Sequence, residues 1–323
     1  MISLDQLRSK LPKEALDLLQ ETFEPAIYNS IILSFREKRK TTFRVNVLKS
    51  SKNEVMERLK KENFKFSNIE YIDNGFILLD EDEKRLLKST LVLEGKIYLQ
   101  SISSLLPPLI LEPNENEKIL DIAASPGSKT TQIAGVTNNK SLIDALEPDF
   151  IRMERLKHNV NLLGATSVTV HHCEGQTFCK EKENYYDKIL VDAPCSGEGR
   201  FNIYDKNSYG NWKLKNVEKL SNLQKKLLRC AIKSLKPNGI LVYSTCTLNI
   251  FENEAVVNEI IKDNDINIKI LPIEQKFKNL KESVIPMLNH KNNRFDKSIL
   301  NCLRIIPSKN LEGFFICKMQ KIT

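Results

Sequence analysis

The stretch Ile189-Leu-Val-Asp-Ala-Pro-Cys-Ser-Gly-Glu-Gly-Arg200 joins a short apolar run to a glycine-containing loop. The run predicts a buried strand whose carboxyl end carries a carboxylate, Asp192, and a thiol, Cys195. Further along, Gly239-Ile-Leu-Val-Tyr-Ser-Thr-Cys246 repeats the arrangement with a second thiol. Because open α/β sheets bind ligands at the carboxyl ends of their strands, the two cysteines predict one site.

Strand and helix patterns alternate on both sides of this stretch from residue 117 onward. Apolar runs predict strands over 118–122, 142–147, 167–171, 188–192, 240–244 and 313–319. Helical spacing of apolar residues follows Pro148 and recurs over 213–235 and 252–263. This alternation predicts a mostly parallel, doubly wound α/β sheet, which we assign to residues 101–323.

Residues 1–100 show a different pattern. Apolar positions over 4–35 predict helices that break near Pro25, and a helix is predicted over 52–63. Strands are predicted over 43–47, 69–79 and 89–99, the first with Phe43 and Val45 facing a core and Arg44 facing solvent. We therefore expect a small N-terminal α+β domain over residues 1–100.

A basic cluster precedes the first of these strands. One interpretation is that its cations contact phosphates, and the other, about equally supported, is an ordinary solvated face. The residues concerned are Arg36, Lys38, Arg39, Lys40 and Arg44.

Composition narrows the class of protein. The 323 residues carry 49 Lys and Arg against 41 Asp and Glu, a net charge of +8, which favours a polyanionic partner. The seven cysteines contain no Cys-x-x-Cys pair and the four histidines fall in no ligand spacing with them, so no metal site is predicted. The odd number of cysteines favours reduced thiols in a cytoplasmic protein. We see no signal peptide and no apolar run of membrane-spanning length, so we expect no membrane partner. We also expect a monomer.

The turn after the strand at 118–122 predicts a nucleotide-type cofactor site. It has neither the spacing of a P-loop nor that of G-x-G-x-x-G. Acidic residues follow neighbouring strands, with Glu147 placed for ribose hydroxyls and Glu174 for an adenine ring. Each alone is better explained as a cap or surface charge, whereas together at strand ends they favour a site. The predicted cofactor-binding residues are Ala123, Ala124, Ser125, Pro126, Gly127, Ser128, Lys129, Glu147, Glu174 and Asp192.

At these motifs the chain resembles the Sun-type (Nop2/Sun) RNA cytosine-5 methyltransferases. The similar segments are Lys40-Thr-Thr-Phe-Arg-Val-Asn-Val-Leu48, Gly95-Lys-Ile-Tyr-Leu-Gln100, Asp121-Ile-Ala-Ala-Ser-Pro-Gly-Ser-Lys-Thr130, Asp192-Ala-Pro-Cys-Ser-Gly197, Tyr243-Ser-Thr-Cys246 with Glu252-Asn-Glu254, and Gly313-Phe-Phe315. Ser125, Ser128 and Glu174 stand where Ala, Gly and Asp are usual in that family.

The resemblance implies a Rossmann-like fold, S-adenosyl-L-methionine as cofactor and formation of 5-methylcytosine in ribosomal or transfer RNA. It also implies that the N-terminal domain, residues 1–100, binds RNA. It implies that Cys246 attacks carbon 6 of the base and that Cys195 assists release. Asp192 is expected to bind the ring edge, and Lys129 to lower a thiol pKa or orient the base.

Two alternatives stay open at this point. In the first, the protein transfers the methyl group to DNA cytosine or to a protein side chain. The second cysteine, Cys246, favours RNA over these acceptors. In the other, the protein is a non-catalytic RNA-binding factor of ribosome assembly that retains the fold. Intact Asp192, Cys195 and Cys246 argue against that second alternative.

Overall fold

A computed structural model describes residues 3–80 and 82–322. The α-helices are α1 Leu4–Arg8, α2 Lys13–Thr22, α3 Pro25–Ser34, α4 Lys52–Lys61, α5 Glu83–Leu87, α6 Thr90–Leu93, α7 Ile102–Leu111, α8 Ser128–Val136, α9 Phe150–Leu162, α10 Gly175–Phe178, α11 Leu214–Ser234, α12 Glu254–Ile261 and α13 Gln275–Lys278. The strands are β1 Thr42–Val45, β2 Phe66–Ile69, β3 Ile72–Leu78, β4 Ile97–Leu99, β5 Lys118–Ile122, β6 Leu142–Leu146, β7 Val168–His171, β8 Tyr186–Asp192, β9 Leu235–Thr245, β10 Ile268–Leu271, β11 Ser283–Val284, β12 Asn289–His290, β13 Asn293–Arg294, β14 Leu303–Ile305 and β15 Phe314–Lys321.

The large sheet has the strand order β7-β6-β5-β8-β9-β15-β14-β11, with β10 also pairing with β15. Strands β5 to β9 run parallel to one another, whereas β15 is antiparallel to β9. From β5 the chain continues to β6 and β7 on one side, and β8 then pairs on the other side of β5. The strand order therefore reverses between β5 and β8, and such a switch point opens a crevice above the strand ends.

Burial on both faces explains why the central strands are continuous apolar runs. Leu120, Ile189 and Val191 pack on one side with helices α11 and α12. Ile119 and Leu190, which point the other way, pack with α7 and α8. Each such buried aliphatic side chain contributes about 1.5–3 kcal/mol relative to an exposed one. The predicted doubly wound α/β architecture is confirmed.

A four-stranded antiparallel sheet, β2-β3-β1-β4, precedes the large sheet. Its own core contains Phe43, Phe76 and Leu59. The helices α1 to α3 pack instead around Phe201 and Leu248, which lie in the loops that follow the two cysteines. The N-terminal helices thus share a core with residues 101–323. The domain boundary near residue 100 stays a prediction.

Two local predictions were wrong. The strand predicted over 89–99 begins only at Ile97, because Thr90–Leu93 forms a helical turn that buries Leu91 and ends at Gly95, whose φ is +69°. The first strand was expected to place cations on one accessible face and a core on the other, but all of Thr42–Val45 is buried. Its polar face is covered by residues of the large domain, as described below.

Candidate active site

The two predicted cysteines lie at the ends of adjacent parallel strands. Asp192, the last residue of β8, stands opposite Ser244 of β9, so the loops that follow the two strands leave the sheet side by side. Cys195 Sγ is 3.2 Å from Cys246 Sγ. Both side chains line one cavity of about 600 Å³. The structure therefore brings the two thiols together at one site, in contact with each other.

Asp192 is fixed beside them by two donors. Lys129 Nζ donates to Asp192 Oδ2 at 2.5 Å, and Ser244 Oγ donates to Oδ1 at 2.7 Å. Burial by itself lowers the pKa of Lys129, but the attraction and hydrogen bond of Asp192 outweigh it, and the pKa is raised. Lys129 is thus a fixed positive charge at the cavity.

The thiol pair is electrostatically asymmetric. A hydrogen bond from Cys195 lowers the pKa of Cys246, and the nearby Arg200 guanidinium lowers it further against the effect of burial. The same hydrogen bond, together with burial, raises the pKa of Cys195. Cys246 is therefore the sulfur that ionises first, with Cys195 as its donor. Sequence reasoning missed Arg200, although it ends the quoted stretch.

The turn after β5 forms another part of the cavity. Ala123 (φ +62°) and Gly127 (φ +100°) adopt left-handed conformations, and a Cβ on Gly127 would lie 2.9 Å from Leu156 Cδ1. Gly127 caps helix α8 without a side-chain hydrogen bond, so no capping side chain occupies the first backbone N–H groups of the helix. Ser128 and Lys129 of that first turn line the cavity. The side chains that line the cavity are those of Ala123, Ser125, Pro126, Ser128 and Lys129, with Ala124 and Gly127 packed behind them.

A smaller cavity of about 140 Å³ holds the two predicted acidic residues, Glu147 and Glu174. It shares the lining residues Ala123, Arg152 and Pro194 with the larger cavity, so the two are adjacent. Its walls are mainly apolar, from Ile122, Pro148, Gly175, Leu223 and Leu227. Glu147 is 1% exposed; its Oε1 accepts from Asp149 N, while its Oε2 lies 3.2 Å from the Arg152 guanidinium without a hydrogen bond. A buried carboxylate oxygen without a donor, in an apolar slot beside a helix N-terminus, fits a nucleoside with free hydroxyl groups.

The predicted basic cluster divides into buried and exposed members. Arg44 is 4% exposed, and its guanidinium donates to Gln100 Oε1, Thr131 Oγ1 and Ser128 O. The guanidinium of Arg39 donates to the backbone carbonyls of residues 199 to 201, and burial lowers its pKa. Of the two interpretations of this cluster, an ordinary solvated face does not hold for Arg44, which is buried. Arg36, Arg39 and Lys40 are half-buried and Lys38 is exposed, and contact of the cluster with RNA stays a prediction.

Side chains distant in sequence complete the larger cavity. Tyr98, Gln100, Glu312 and Phe314 line it from the N-terminal sheet and from the start of β15. The motifs around the cysteines gave no signal for these residues. Within residues 3–80 and 82–322, no cluster of His, Cys, Asp and Glu has the arrangement of a metal site, and no helix is long and apolar enough to span a bilayer.

Comparison with known proteins gives consistent matches. Residues 108–320 match the family model of the 16S rRNA methyltransferase RsmB/F. The ribosomal RNA small subunit methyltransferase F of Enterobacter sp. (strain 638) is 33% identical over 316 residues, 96% of this chain and 63% of that protein. The enzyme of the same name from Aeromonas hydrophila is 37% identical over 238 residues, 72% of this chain and 50% of that protein. The chain thus spans about three fifths of the length of the first curated relatives it matches.

Two solved structures share the architecture. A methyltransferase homolog from Pyrococcus horikoshii superposes with a TM-score of 0.84 at 31% identity, over 98% of both chains. NSun6 from the same organism, solved with SFG, gives a TM-score of 0.81 at 23% identity, over 98% of this chain and 100% of that one. The predicted Rossmann-like methyltransferase fold is therefore confirmed.

Proposed function

The chain belongs to the RsmB/F family of 16S rRNA methyltransferases, and we propose on that basis that it transfers a methyl group from S-adenosyl-L-methionine to carbon 5 of a cytosine in RNA. Ribosomal RNA is favoured over transfer RNA because the curated relatives are named as ribosomal RNA methyltransferases. The observation that carries the proposal is the 3.2 Å contact between Cys195 and Cys246 in a cavity that also contains the Lys129–Asp192 pair.

The two adjacent cavities would hold the cofactor. Glu147, with its unbonded buried oxygen, would accept hydrogen bonds from the ribose, and Glu174 borders the slot for the base. The N-terminus of α8 and the turn before it would face the amino-acid part of the molecule. When bound, S-adenosyl-L-methionine supplies an electrophilic methyl group.

Carbon 5 of cytosine is a weak nucleophile, so the ring must be activated first. The Cys246 thiolate adds to carbon 6, which forms a carbon–sulfur bond and moves the electron pair of the C5–C6 double bond toward carbon 5. Arg200 and the hydrogen bond from Cys195 favour that thiolate. The Asp192 carboxylate is placed to accept from the amino edge of the ring, and Lys129 offsets the developing negative charge.

Release requires a base. After methyl transfer, the proton on carbon 5 must leave so that its electron pair can restore the double bond and expel the Cys246 sulfur. Cys195 stands next to Cys246, and once its own proton has left to solvent its thiolate can accept the proton from carbon 5. We assign it the removal of this proton. The target base must be unstacked to enter, which favours a single-stranded or looped segment.

Replacement of each cysteine separates the two assigned steps. Cys195→Ala is expected to form the adduct without releasing it, so a protein–RNA band that survives denaturation accumulates. Cys246→Ala is expected to abolish both the band and methylation, and Cys173→Ala, in a cysteine outside the cavity, provides the control. Methylation by Cys246→Ala near the control rate would show that the nucleophile is assigned wrongly. RNA binding without methyl transfer to RNA by the unsubstituted chain would support a non-catalytic assembly factor instead.

A further inference from the structure

Two glutamates that the proposed reaction does not use lie behind the cysteine loops. Glu198 follows Cys195 and Glu252 follows Cys246, and both are fully buried. We call them the glutamate pair. Sequence reasoning assigned neither of them a role in the site.

The glutamate pair connects the two cysteine loops. On the Cys195 side, Ser196 Oγ lies 2.7 Å from Glu198 Oε1 and also contacts Glu252 Oε1, while Ser196 N donates to Glu252 Oε2 at 3.1 Å. On the Cys246 side, Thr247 Oγ1 contacts Glu198 Oε2, and Leu248 N donates to the same oxygen at 3.2 Å. Glu198 therefore bonds both loops directly.

Asn249 links the glutamates to each other. Its Nδ2 lies 3.1 Å from Glu198 Oε1 and 2.7 Å from Glu252 Oε1. The remaining donors come from outside the loops: Trp212 Nε1 bonds Glu198 at 2.8 Å, and Gln224 Nε2 bonds Glu252 at 2.7 Å. All of these donors are neutral. Among the described residues, no Lys, Arg or His forms an ion pair with either glutamate.

The hydroxyl protons of the cluster are too few for its oxygen–oxygen contacts. Four oxygen–oxygen contacts occur in the cluster: Ser196 with Glu198, with Glu252 and with Thr247, and Thr247 with Glu198. Ser196 and Thr247 supply only two hydroxyl protons between them. If both carboxyl groups were ionised, two of the four contacts would have no proton between their oxygens and would be repulsive. Two negative charges would also lie in one buried site. A proton on one carboxyl group converts a third contact into a hydrogen bond and removes one charge.

We propose that Glu198 and Glu252 share one proton and act as positioning residues that hold Cys195 and Cys246 in contact. The role in catalysis rests on the proposed function, whereas the shared proton does not. Ser196 Oγ and Asn249 Nδ2 each bridge the two carboxyl groups, and like charges held at one buried site disfavour the ionisation of both.

Loss of the shared proton is expected to lower the methylation rate at alkaline pH. Burial and the neighbouring Glu198 raise the pKa of Glu252 to about 7. Above that pH the glutamate pair carries two negative charges, loses one bridge between the loops and raises the pKa of Cys195 further. The other titratable and charged groups around it are Cys246, Arg200, Asp192, Tyr243 and the buried Arg304–Glu254 ion pair. The proposal therefore predicts a methylation rate that falls on the alkaline side as the pair ionises.

Infrared spectroscopy tests the proton without RNA or cofactor. The unsubstituted chain is prepared with glutamate labelled with ¹³C in its side-chain carboxyl group, so that glutamate bands shift and the band of the buried Asp121 does not. We expect a protonated-carboxyl band at neutral pH that shifts with the label, disappears at alkaline pH and is absent in Glu252→Gln. The absence of a label-sensitive band at neutral pH would overturn the proposal.

The pH dependence of methylation tests the positioning role. In the unsubstituted chain the rate is expected to fall about tenfold per pH unit on the alkaline side, the slope for loss of one proton. Glu252→Gln keeps the shape of the side chain but removes one ionisable group. The alkaline decrease in methylation rate should therefore disappear in this variant, and likewise in Glu198→Gln. Glu218→Gln, on the exposed face of α11, is the matched control and should keep the decrease.

The outcomes separate the two proposals. An alkaline decrease that persists in both glutamate variants would refute the positioning role. If neither variant folds, the label-sensitive band of the unsubstituted chain still decides whether the proton is present. A chain that shows the band but methylates no RNA would refute the proposed function and leave the shared proton standing.

Discussion

Replacement of Arg44 by Met distinguishes a buried structural cation from an RNA contact. The guanidinium makes hydrogen bonds of 3.0 Å to Gln100, 2.8 Å to Thr131 and 3.3 Å to Ser128 O, and these bonds join strand β1 to helix α8. Met fills a similar volume without any donor. If the bonds are structural, their loss is expected to lower the free energy of unfolding rather than to weaken RNA binding alone.

The size of the loss follows from two opposing contributions. Burial lowers the pKa of Arg44 from 12.5 to about 10, so keeping it charged costs about 3 kcal/mol at about 1.4 kcal/mol per pH unit. Three hydrogen bonds from a charged donor contribute about 6 kcal/mol at about 2 kcal/mol each. The difference predicts a loss of about 3 kcal/mol in Arg44→Met.

Urea unfolding followed by circular dichroism measures this loss. With a slope of about 3 kcal/mol/M, the midpoint of Arg44→Met should fall by about 1 M at unchanged slope. Lys40→Met, in the same segment, is the control and should change stability by less than about 0.5 kcal/mol. The opposite result would be an unchanged midpoint for Arg44→Met and a salt dependence of RNA binding that is reduced by about one phosphate contact. That result would refute the reasoning and support the interpretation that Arg44 contacts a phosphate.

Two further substitutions test the cofactor side of the site. Glu147→Gln is expected to weaken S-adenosylhomocysteine binding by about tenfold or more in calorimetry, because the charged acceptor for the ribose is lost; unchanged affinity would remove Glu147 from the site. Burial raises the pKa of Asp121 from 3.8 to about 7, so its contribution to stability is present below about pH 4 and is lost as the pH rises to about 7. Asp121→Asn should therefore flatten the decrease in the free energy of unfolding between pH 5 and 8, and an unchanged decrease would show that another group is responsible.

The sequence predicted the arrangement of the strand ends because that arrangement follows from local rules. Apolar runs identified the strands, and parallel neighbours place their carboxyl ends at one edge of a sheet. Asp192, Cys195 and Cys246 could therefore be assigned to one site before the structure was considered. The same rule brought Glu147 and Glu174 to one slot, since β6 and β7 are also neighbours.

Features that depend on contacts between distant segments could not be predicted in this way. Arg44 alternates with the apolar residues of its strand, a position that predicts an accessible side chain. It is buried only because β1 packs against α8. The helical turn at Thr90–Leu93 has the composition of a strand, and the burial of Leu91 outweighs that preference. Glu312 enters the cavity from a loop before β15, and no motif marks its position.

The basic segment before β1 is part of the framework of the cavity that holds the two cysteines. Arg39 holds the carbonyls of residues 199 to 201, Gly199 N donates to Cys246 O, and Gly313 N donates to Gly199 O. A Cβ on Gly199 would lie 2.1 Å from Gly313 O, so the three backbones meet where no side chain fits. The loop that carries Arg200 is therefore fixed from three directions. Because Arg200 lowers the pKa of Cys246, Arg39 can influence thiol ionisation without contacting either sulfur. Arg39 and Arg44, two of the cations in residues 36–44, thus stabilise the fold.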